Sequence, residues 1–297
     1  MSRRLRVAAA QFPVSEPQNW AAAADQLGRW VKDAANARAQ LLVFPEYASM
    51  SLAALFAAPI RADLRQQLQT MQTLCDDYLA VHRELARRYS VYLLAGSFPW
   101  QLGNSLFHNR AWLFAPDGTA DFQDKRIMTR FEREQWGIFG GAEVPLKVFD
   151  TEVGRLAVNI CYDVEFPLLA HAQVEAGAQL ILVPSCTDTV AGYHRVRIGA
   201  QARALENQCI VVQSPLVGSA RWSPAVDINI GAASVYAPPD RGFPDNGVIA
   251  SGPMNTPCWI YADVDLDHID DVRRNGQVLN ARDWPEQQSL RCVVKQL

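Results

Sequence analysis

Short apolar runs alternate with longer stretches whose apolar residues recur every three or four positions, as strands and amphipathic helices do in turn. Leu5 to Phe12 reads as a first strand, and Asn19 then caps an alanine-rich helix with Trp20, Ala24, Leu27 and Val31 along one face. Leu41 to Phe44 is a short buried strand ended by Pro45. The spacing of Leu64, Leu68, Met71, Leu74, Tyr78 and Leu85 predicts one long helical stretch from about Asp63 to Tyr89, and Val91 to Gly96 predicts another buried strand. Asn109 to Ala115, the turn Pro116-Asp117-Gly118 and Asp121 to Ile127 predict a hairpin.

The second half continues the pattern. Leu156 to Ile160 is a buried strand, and Pro167 opens a helix ending near Gly177. A strand over Leu180 to Val183, a helix from about His194 to Asn207 and a strand over Ile210 to Gln213 follow. Turn-rich segments at Pro238-Pro239-Asp240 and Phe243 to Gly247 lead to a final strand, Trp259 to Val264, and a short helix near Leu266 to Arg274. No composition break, linker or repeat interrupts this order. It predicts a single α/β domain over 1–297, with a core over about 5–265 and a C-terminal helix and tail over 266–297.

Composition narrows the function classes. Hydrophobic residues make up 49% of the 297 and charged residues 20%, which suits a globular protein with a sizeable core. A net charge of −3 gives no electrostatic reason to expect a nucleic acid or an anionic membrane as partner. Six cysteines, none in a C-x-x-C pair, read as reduced thiols rather than a disulfide framework or a zinc site. The basic start Met1 to Arg6 is followed by too short an apolar stretch, Val7 to Ala10, for a signal peptide, and no segment is long and apolar enough to span a bilayer. The expected location is the cytoplasm.

Cys161 is the leading candidate for chemistry. It sits at a strand end just before a helix start, where the positive pole of a helix dipole would lower its pKa; the alternative is a cysteine that merely fills the core. Glu46 follows the strand Leu41 to Phe44 in Phe-Pro-Glu-Tyr, placed either to face a cleft among loops or simply to be solvated. Lys125, in Asp124-Lys125-Arg126, ends the second hairpin strand and is either a partner for a thiolate or a surface cation. Glu132 and Glu134 lie just beyond it, before Gly140-Gly141, in a segment whose acids and bases could equally pair with one another. A Cys-His hydrolase would need a positioned histidine, and neither His171 nor His194 has a local signature for that role.

Taken together, Phe-Pro-Glu46-Tyr, Asp-Lys125-Arg and Asn-Ile-Cys161-Tyr-Asp resemble, in order and spacing, the Glu-Lys-Cys motifs of the carbon–nitrogen hydrolase (nitrilase) superfamily, in its amidase-like branch. The resemblance extends through Pro184-Ser185-Cys186 and Arg203 to Gln208, and so runs from Val7 to about Val264. It implies an α/β fold, a four-layer αββα sandwich, usually dimerised, with no metal or organic cofactor. It implies Glu46 as general base, Cys161 as the nucleophile forming an acyl-enzyme on a small amide, and Lys125 with the Tyr162 backbone N–H as oxyanion donors. A second glutamate in the family orients the lysine or the substrate. Counted back from the glycine pair, Glu134 fits that place better than Glu132, a choice that one insertion would reverse.

Two departures bear on selectivity. Glu165 stands where many relatives carry an arginine that, in ω-amidase-like members, helps hold a substrate carboxylate. It either disfavours dicarboxylate monoamides in favour of neutral or cationic amides, or complements the helix dipole or pairs with a nearby arginine. Cys186 is expected to form a pocket wall, with Ser185 and Tyr162 also bordering the substrate. Selectivity is expected to reside in the loops around Met50 to Ala62, Thr187 to Tyr193 and Arg221 to Ala233. Nitrilases commonly read Cys-Trp-Glu where this chain has Cys161-Tyr162-Asp163, which tilts the reading from nitriles or carbamoyl amines toward amides; a non-catalytic interaction module is disfavoured by the intact triad.

Overall fold

The computed structural model of the protein describes residues 3–103, 106–140 and 145–296; Gly141, half of the glycine pair used above, lies outside them. In chain order the strands are β1 (Arg4–Pro13), β2 (Leu41–Val43), β3 (Tyr92–Leu102), β4 (Leu106–Phe114), β5 (Ala120–Asp124), β6 (Ile138–Phe139), β7 (Phe149–Thr151) and β8 (Gly154–Val158). They continue with β9 (Leu180–Ser185), β10 (Ile210–Ser219), β11 (Ile228–Asn229), β12 (Ser234–Tyr236), β13 (Val248–Ser251) and β14 (Cys258–Asp265). The helices are α1 (Trp20–Asn36), α2 (Ala58–Ala62), α3 (Leu64–Met71), α4 (Cys75–Tyr89), α5 (Pro167–Glu175), α6 (Val190–Asn207), α7 (Leu266–Asn275) and α8 (Asn280–Asp283).

The strands form two wings, β5-β4-β3-β2-β1 and β10-β9-β8-β7, joined where Phe12 and Pro13 of β1 meet Leu216 and Val217 of β10. Strand β14 runs antiparallel to β1 along Arg4 to Gln11. The inner strands are parallel and read as continuous apolar runs, because both of their faces are covered. Side chains of β1 alternate accordingly. Val7 and Ala9 enter a core shared with Leu156, Val158, Ile181 and Val183 of the other wing, whereas Ala8 and Ala10 enter a core shared with Val31 and Ala34 of α1 and Leu85 and Ala86 of α4. Ala170 of α5 with Val196, Ala200 and Ala204 of α6 covers the second wing. The result is the four-layer αββα sandwich. Among the described residues, no helix is long and apolar enough to cross a membrane.

Local differences from the sequence reading have local causes. The stretch from Asp63 to Tyr89 is two helices, broken by a 3-10 turn at Gln72–Leu74. The Gln72 side chain ties the break to β3: its amide donates to Pro99 O at 2.7 Å, and its Oε1 accepts from Gln101 N at 3.0 Å. Strand β3 does not stop at Gly96 but passes through it with φ of +74°, at the point where its register with β4 shifts. A Cβ at Gly96 would stand 2.0 Å from the Pro45 carbonyl, so glycine there lets the segment carrying Glu46 close onto β3. Helix α6 begins at Val190 rather than near His194, because the Thr189 hydroxyl caps it by accepting from Gly192 N at 3.0 Å.

Candidate active site

Glu46 follows β2, Lys125 follows β5 and Cys161 follows β8, so the first two reach the site from one wing and the thiol from the other. All three line a cavity of about 560 Å³ together with Tyr47, Trp136, Tyr162, Glu165 and Cys186. Ser97 of β3 holds the segment after Glu46 by accepting from Tyr47 N at 3.0 Å. Tyr47 and Cys161 are both non-glycine residues in the left-handed region, with φ of 56° and 48°. Such backbone costs about 1–3 kcal/mol each, so the surrounding packing must enforce these two turns.

The hydrogen bonds sort the two glutamates. Glu132 accepts on Oε1 from Tyr47 Oη (2.7 Å) and Asn109 Nδ2 (3.1 Å), and on Oε2 from Lys125 Nζ (2.6 Å) and from Thr129 N and Oγ1 (both 2.9 Å). Both of its oxygens are saturated, and it has no room to take a proton from a substrate or thiol. Glu46 is anchored through Oε1 alone, by Lys125 Nζ at 2.8 Å and Asn109 Nδ2 at 2.8 Å. Its Oε2 takes no N–H or hydroxyl donor among the described residues, and the carboxylate stands close enough to Cys161 to bear on the ionisation of its thiol, which is itself directed at Cys186 O at 3.7 Å. Lys125 Nζ spends two of its three protons on these glutamates, and the third is free to point into the cavity.

Electrostatics follow the same division. Burial pushes Glu46 above the ordinary carboxylate range; Lys125 pulls it back and repulsion from Glu132 adds to the rise. Burial also opposes ionisation of Glu132, but Lys125 and the Tyr47 and Thr129 hydrogen bonds outweigh it and hold this carboxyl below its usual range. Burial works against the Lys125 ammonium, yet Glu132 and Glu46 keep it protonated well above the ordinary lysine range. The Cys161 thiol is pushed well up, by burial first and by the negative Glu46 second, while Lys125 pulls it down. The sequence expectation of a thiol acidified by a helix dipole is therefore corrected. Cys161 opens a 3-10 turn, Cys161–Glu165, whereas α5 starts only at Pro167. Burial and the neighbouring carboxylate thus favour the neutral thiol over the thiolate.

Several other expectations are corrected. The second glutamate beside Lys125 is Glu132, not Glu134. The Glu132 side chain is 3% exposed, whereas that of Glu134 is 54% exposed and pairs with Arg130 at 2.8 Å. A signal for this was present in Thr129-x-x-Glu132, a capping box: Glu132 N donates to Thr129 Oγ1 (3.3 Å) and Thr129 N donates to Glu132 Oε2 (2.9 Å). Ser185 is buried with its hydroxyl directed at Ser214 O, outside the cavity wall, whereas Cys186 is in that wall as expected. Glu165 lines the cavity and pairs with Arg195 at 3.5 Å. The Thr187 to Tyr193 and Arg221 to Ala233 loops contribute Asp188, Gly192, Ala225 and Asp227 to the wall, while Met50 to Ala62 contributes nothing and 129–136 takes its place. No histidine lines the cavity; His171 is stacked on Trp284 instead, so the Cys-His reading has no base.

Asn109, Tyr47 and Asp163 were visible only as parts of strands or motifs. Asn109 bridges both glutamates with one amide group. The fully buried Asp163 is pushed up to about 7 by burial, against the pull of Lys125 and of the backbone N–H groups it accepts. The difference between Glu132 and Glu134 is directly measurable. Glu132→Gln removes a charge that helps hold Lys125 and is expected to lower turnover by about a hundredfold or more, whereas Glu134→Gln breaks an exposed ion pair and should stay within about twofold of the parent. Steady-state rates of the two variants on one substrate check this, and equal losses would reject the assignment.

Comparison with known proteins gives the family and the fold. The family described as carbon-nitrogen hydrolase matches residues 6–274. A Bacillus subtilis protein described as probable hydrolase YhcX is 35% identical over 280 residues, which are 94% of this chain and 53% of that protein, so the chain spans about half the length of that relative. The omega-amidase NIT2 of Danio rerio is 27% identical over 291 residues, covering 94% of this chain and 95% of that one. Among solved structures, a carbon-nitrogen hydrolase from Helicobacter pylori has a TM-score of 0.76 at 18% identity, covering 98% of this chain and 96% of the other. A double mutant of an amidase from Nesterenkonia sp., in complex with acrylamide, has a TM-score of 0.67 at 23% identity, covering 95% and 97%. These two structures are similar to this chain in fold. With the family match running almost from end to end, the chain belongs to the carbon–nitrogen hydrolase family.

Proposed function

We propose that the protein is a thiol amidohydrolase that splits the C–N bond of a small carboxamide through a cysteine acyl-enzyme and releases ammonia. The observation that carries this reading is the unequal treatment of the two buried glutamates: Glu132 is saturated with donors, while Glu46 keeps an oxygen for proton transfer beside Cys161. Glu46 takes the thiol proton as sulfur attacks the amide carbon. The remaining Lys125 proton and the Tyr162 backbone N–H hold the oxyanion that forms. Protonated Glu46 then passes its proton to the leaving nitrogen, and ammonia departs. In the second half Glu46 accepts a proton from water as the water oxygen attacks the thioester. The C–S bond then breaks, Glu46 returns the proton to the departing sulfur, and the acid leaves with the thiol restored.

The outer wall bears on the substrate. Arg195 opposes the charge of Glu165, and Arg130, also in the wall, is paired with Glu134; Asp188 and Asp227 line the cavity as well, which favours a neutral or cationic amide over one ending in a carboxylate. Ammonia release measured across neutral amides, cationic amides, dicarboxylate monoamides, nitriles and carbamoyl amines tests the reading. The expected result is release from a small neutral or cationic amide, with dicarboxylate monoamides at least about tenfold slower in kcat/KM. Release from nitriles or carbamoyl amines alone would overturn the amide assignment, and release from none would overturn the enzyme.

A further inference from the structure

One buried carboxylate touches both halves of the site without lining its cavity. Asp163 is 2% exposed and lies two residues beyond the nucleophile. Its Oδ1 accepts from Ile127 N at 2.8 Å and from Arg126 N at 3.1 Å. Its Oδ2 accepts from Arg126 N at 3.2 Å and from Ile160 N at 3.2 Å. The backbone tied on one side is therefore the two residues after Lys125, and on the other the residue just before Cys161. Lys125 N itself donates to Asn109 O at 2.9 Å, so the main chain around the lysine is held from β4 on one side and from the cysteine turn on the other.

We propose that Asp163 is a positioning residue that fixes the lysine-bearing end of β5 and the cysteine turn in a single spatial relation, across the junction of the two wings. The inference rests on the amidohydrolase reading and adds to it a device for holding the ammonium and sulfur in register. The need for such a device follows from the topology. Lys125 and Cys161 belong to different wings, and near the site each wing's own ladder orders only one of them. Cys161 is also held in left-handed backbone, which a turn left untied would relax. A carboxyl group suits the task because in its ionised form it only accepts, and the three N–H groups that converge on it favour that form against burial. An asparagine of the same shape would turn an NH₂ toward at least one of those donors. A misplacement of about 1 Å at a reacting centre costs on the order of a hundredfold in rate.

The test compares the full-length protein with Asp163→Asn and Asp163→Glu on the best amide found for the parent, with rates expressed per thiol-titrated, folded molecule. Asp163→Asn is expected to lower kcat by about a hundredfold while KM stays within about threefold, because the cavity wall is untouched. Asp163→Glu, which restores an acceptor-only group displaced by one methylene, should recover part of the loss. If Asp163→Asn does not fold, Asp163→Glu decides alone, and a kcat equal to the parent's overturns the proposal. So does an unchanged kcat in Asp163→Asn, or a loss that lies wholly in KM. If the parent itself releases ammonia from no amide, the amidohydrolase reading fails instead, which keeps the two failures apart.

Discussion

Replacing Cys161 by alanine is expected to reduce ammonia release by roughly 10⁴- to 10⁶-fold and to abolish a covalent adduct that intact-mass measurement detects in the parent. The parent incubated with a slow amide should gain the mass of the acyl group, and Cys161→Ala should gain nothing. The variant tests more than the nucleophile, because the cavity holds a second thiol. Cys186 lines the same wall; its carbonyl is the acceptor for the Cys161 thiol at 3.7 Å, and its own thiol points to Asn229 Oδ1 at 3.3 Å. Burial first, and then the negative Glu46, pushes the Cys186 thiol well above the ordinary range, as it does Cys161. Both thiols are directed at an amide oxygen, which takes no proton, so their resting hydrogen bonds do not separate them; the assignment of Cys161 rests on its place at the end of β8 and on the motif around it. An adduct that persists in Cys161→Ala, carried by Cys186, would reverse the assignment.

Lys125→Met should cost stability as well as turnover. Lys125 is 1% exposed and is the shared partner of two buried carboxylates, at 2.8 Å from Glu46 and 2.6 Å from Glu132. Methionine of similar length fills the space but leaves two negative groups bridged only by the Asn109 amide. Removing one partner from a buried charged network typically costs about 3–5 kcal/mol, and loss of an oxyanion donor removes about 10²- to 10³-fold in rate. The sign of the pH dependence is part of the expectation. Without the ammonium Glu46 rises further above its unfolded value and Glu132 loses the main pull that held it below, leaving burial to raise it, so the folded variant binds more protons than the unfolded one. The deficit therefore shrinks as pH falls and grows as pH rises through the carboxyl range. Denaturant midpoints for parent and variant at two pH values measure this. A variant within about 1 kcal/mol of the parent at neutral pH would show that the network holds the fold together far less than its geometry indicates.

What could be read from the residues divides along the distance over which a residue acts. Strands β1, β2, β8, β9 and β14 and helices α1 and α5 are all written in nearest-neighbour terms, as apolar runs, an asparagine cap and an N-terminal proline. The order of Glu46, Lys125 and Cys161 at strand ends was legible through the resemblance their motifs carry. Less was legible where one side chain decides by reaching across the chain. Gln72 breaks a helix by binding β3, and Asn109 selects which carboxylate oxygens stay free. The choice between Glu132 and Glu134 depends on a single turn whose phase is set by Thr129, which counting from a glycine pair cannot supply. The dipole argument for Cys161 failed for a related reason: position before a helix in sequence is not position on its axis, and a 3-10 turn intervenes.

The junction of the wings also bears on how the site comes into being. Glu46 and Lys125 are delivered by the β2 and β5 ends and Cys161 by the β8 end, and the strand ladders of the two wings join at two described residue pairs between β1 and β10. Neither wing alone brings Cys161 together with Glu46 and Lys125, so on the proposed reading a partly folded chain with one wing formed would have no hydrolytic capacity. The apolar face of each wing must be sealed against the other before a buried lysine and two carboxylates can be brought together away from water. Contacts so distant in sequence carry a large loop-closure cost in folding. On the proposed reading, turnover reports that the two halves of the site have been brought together, and a chain in which they stand apart would be silent.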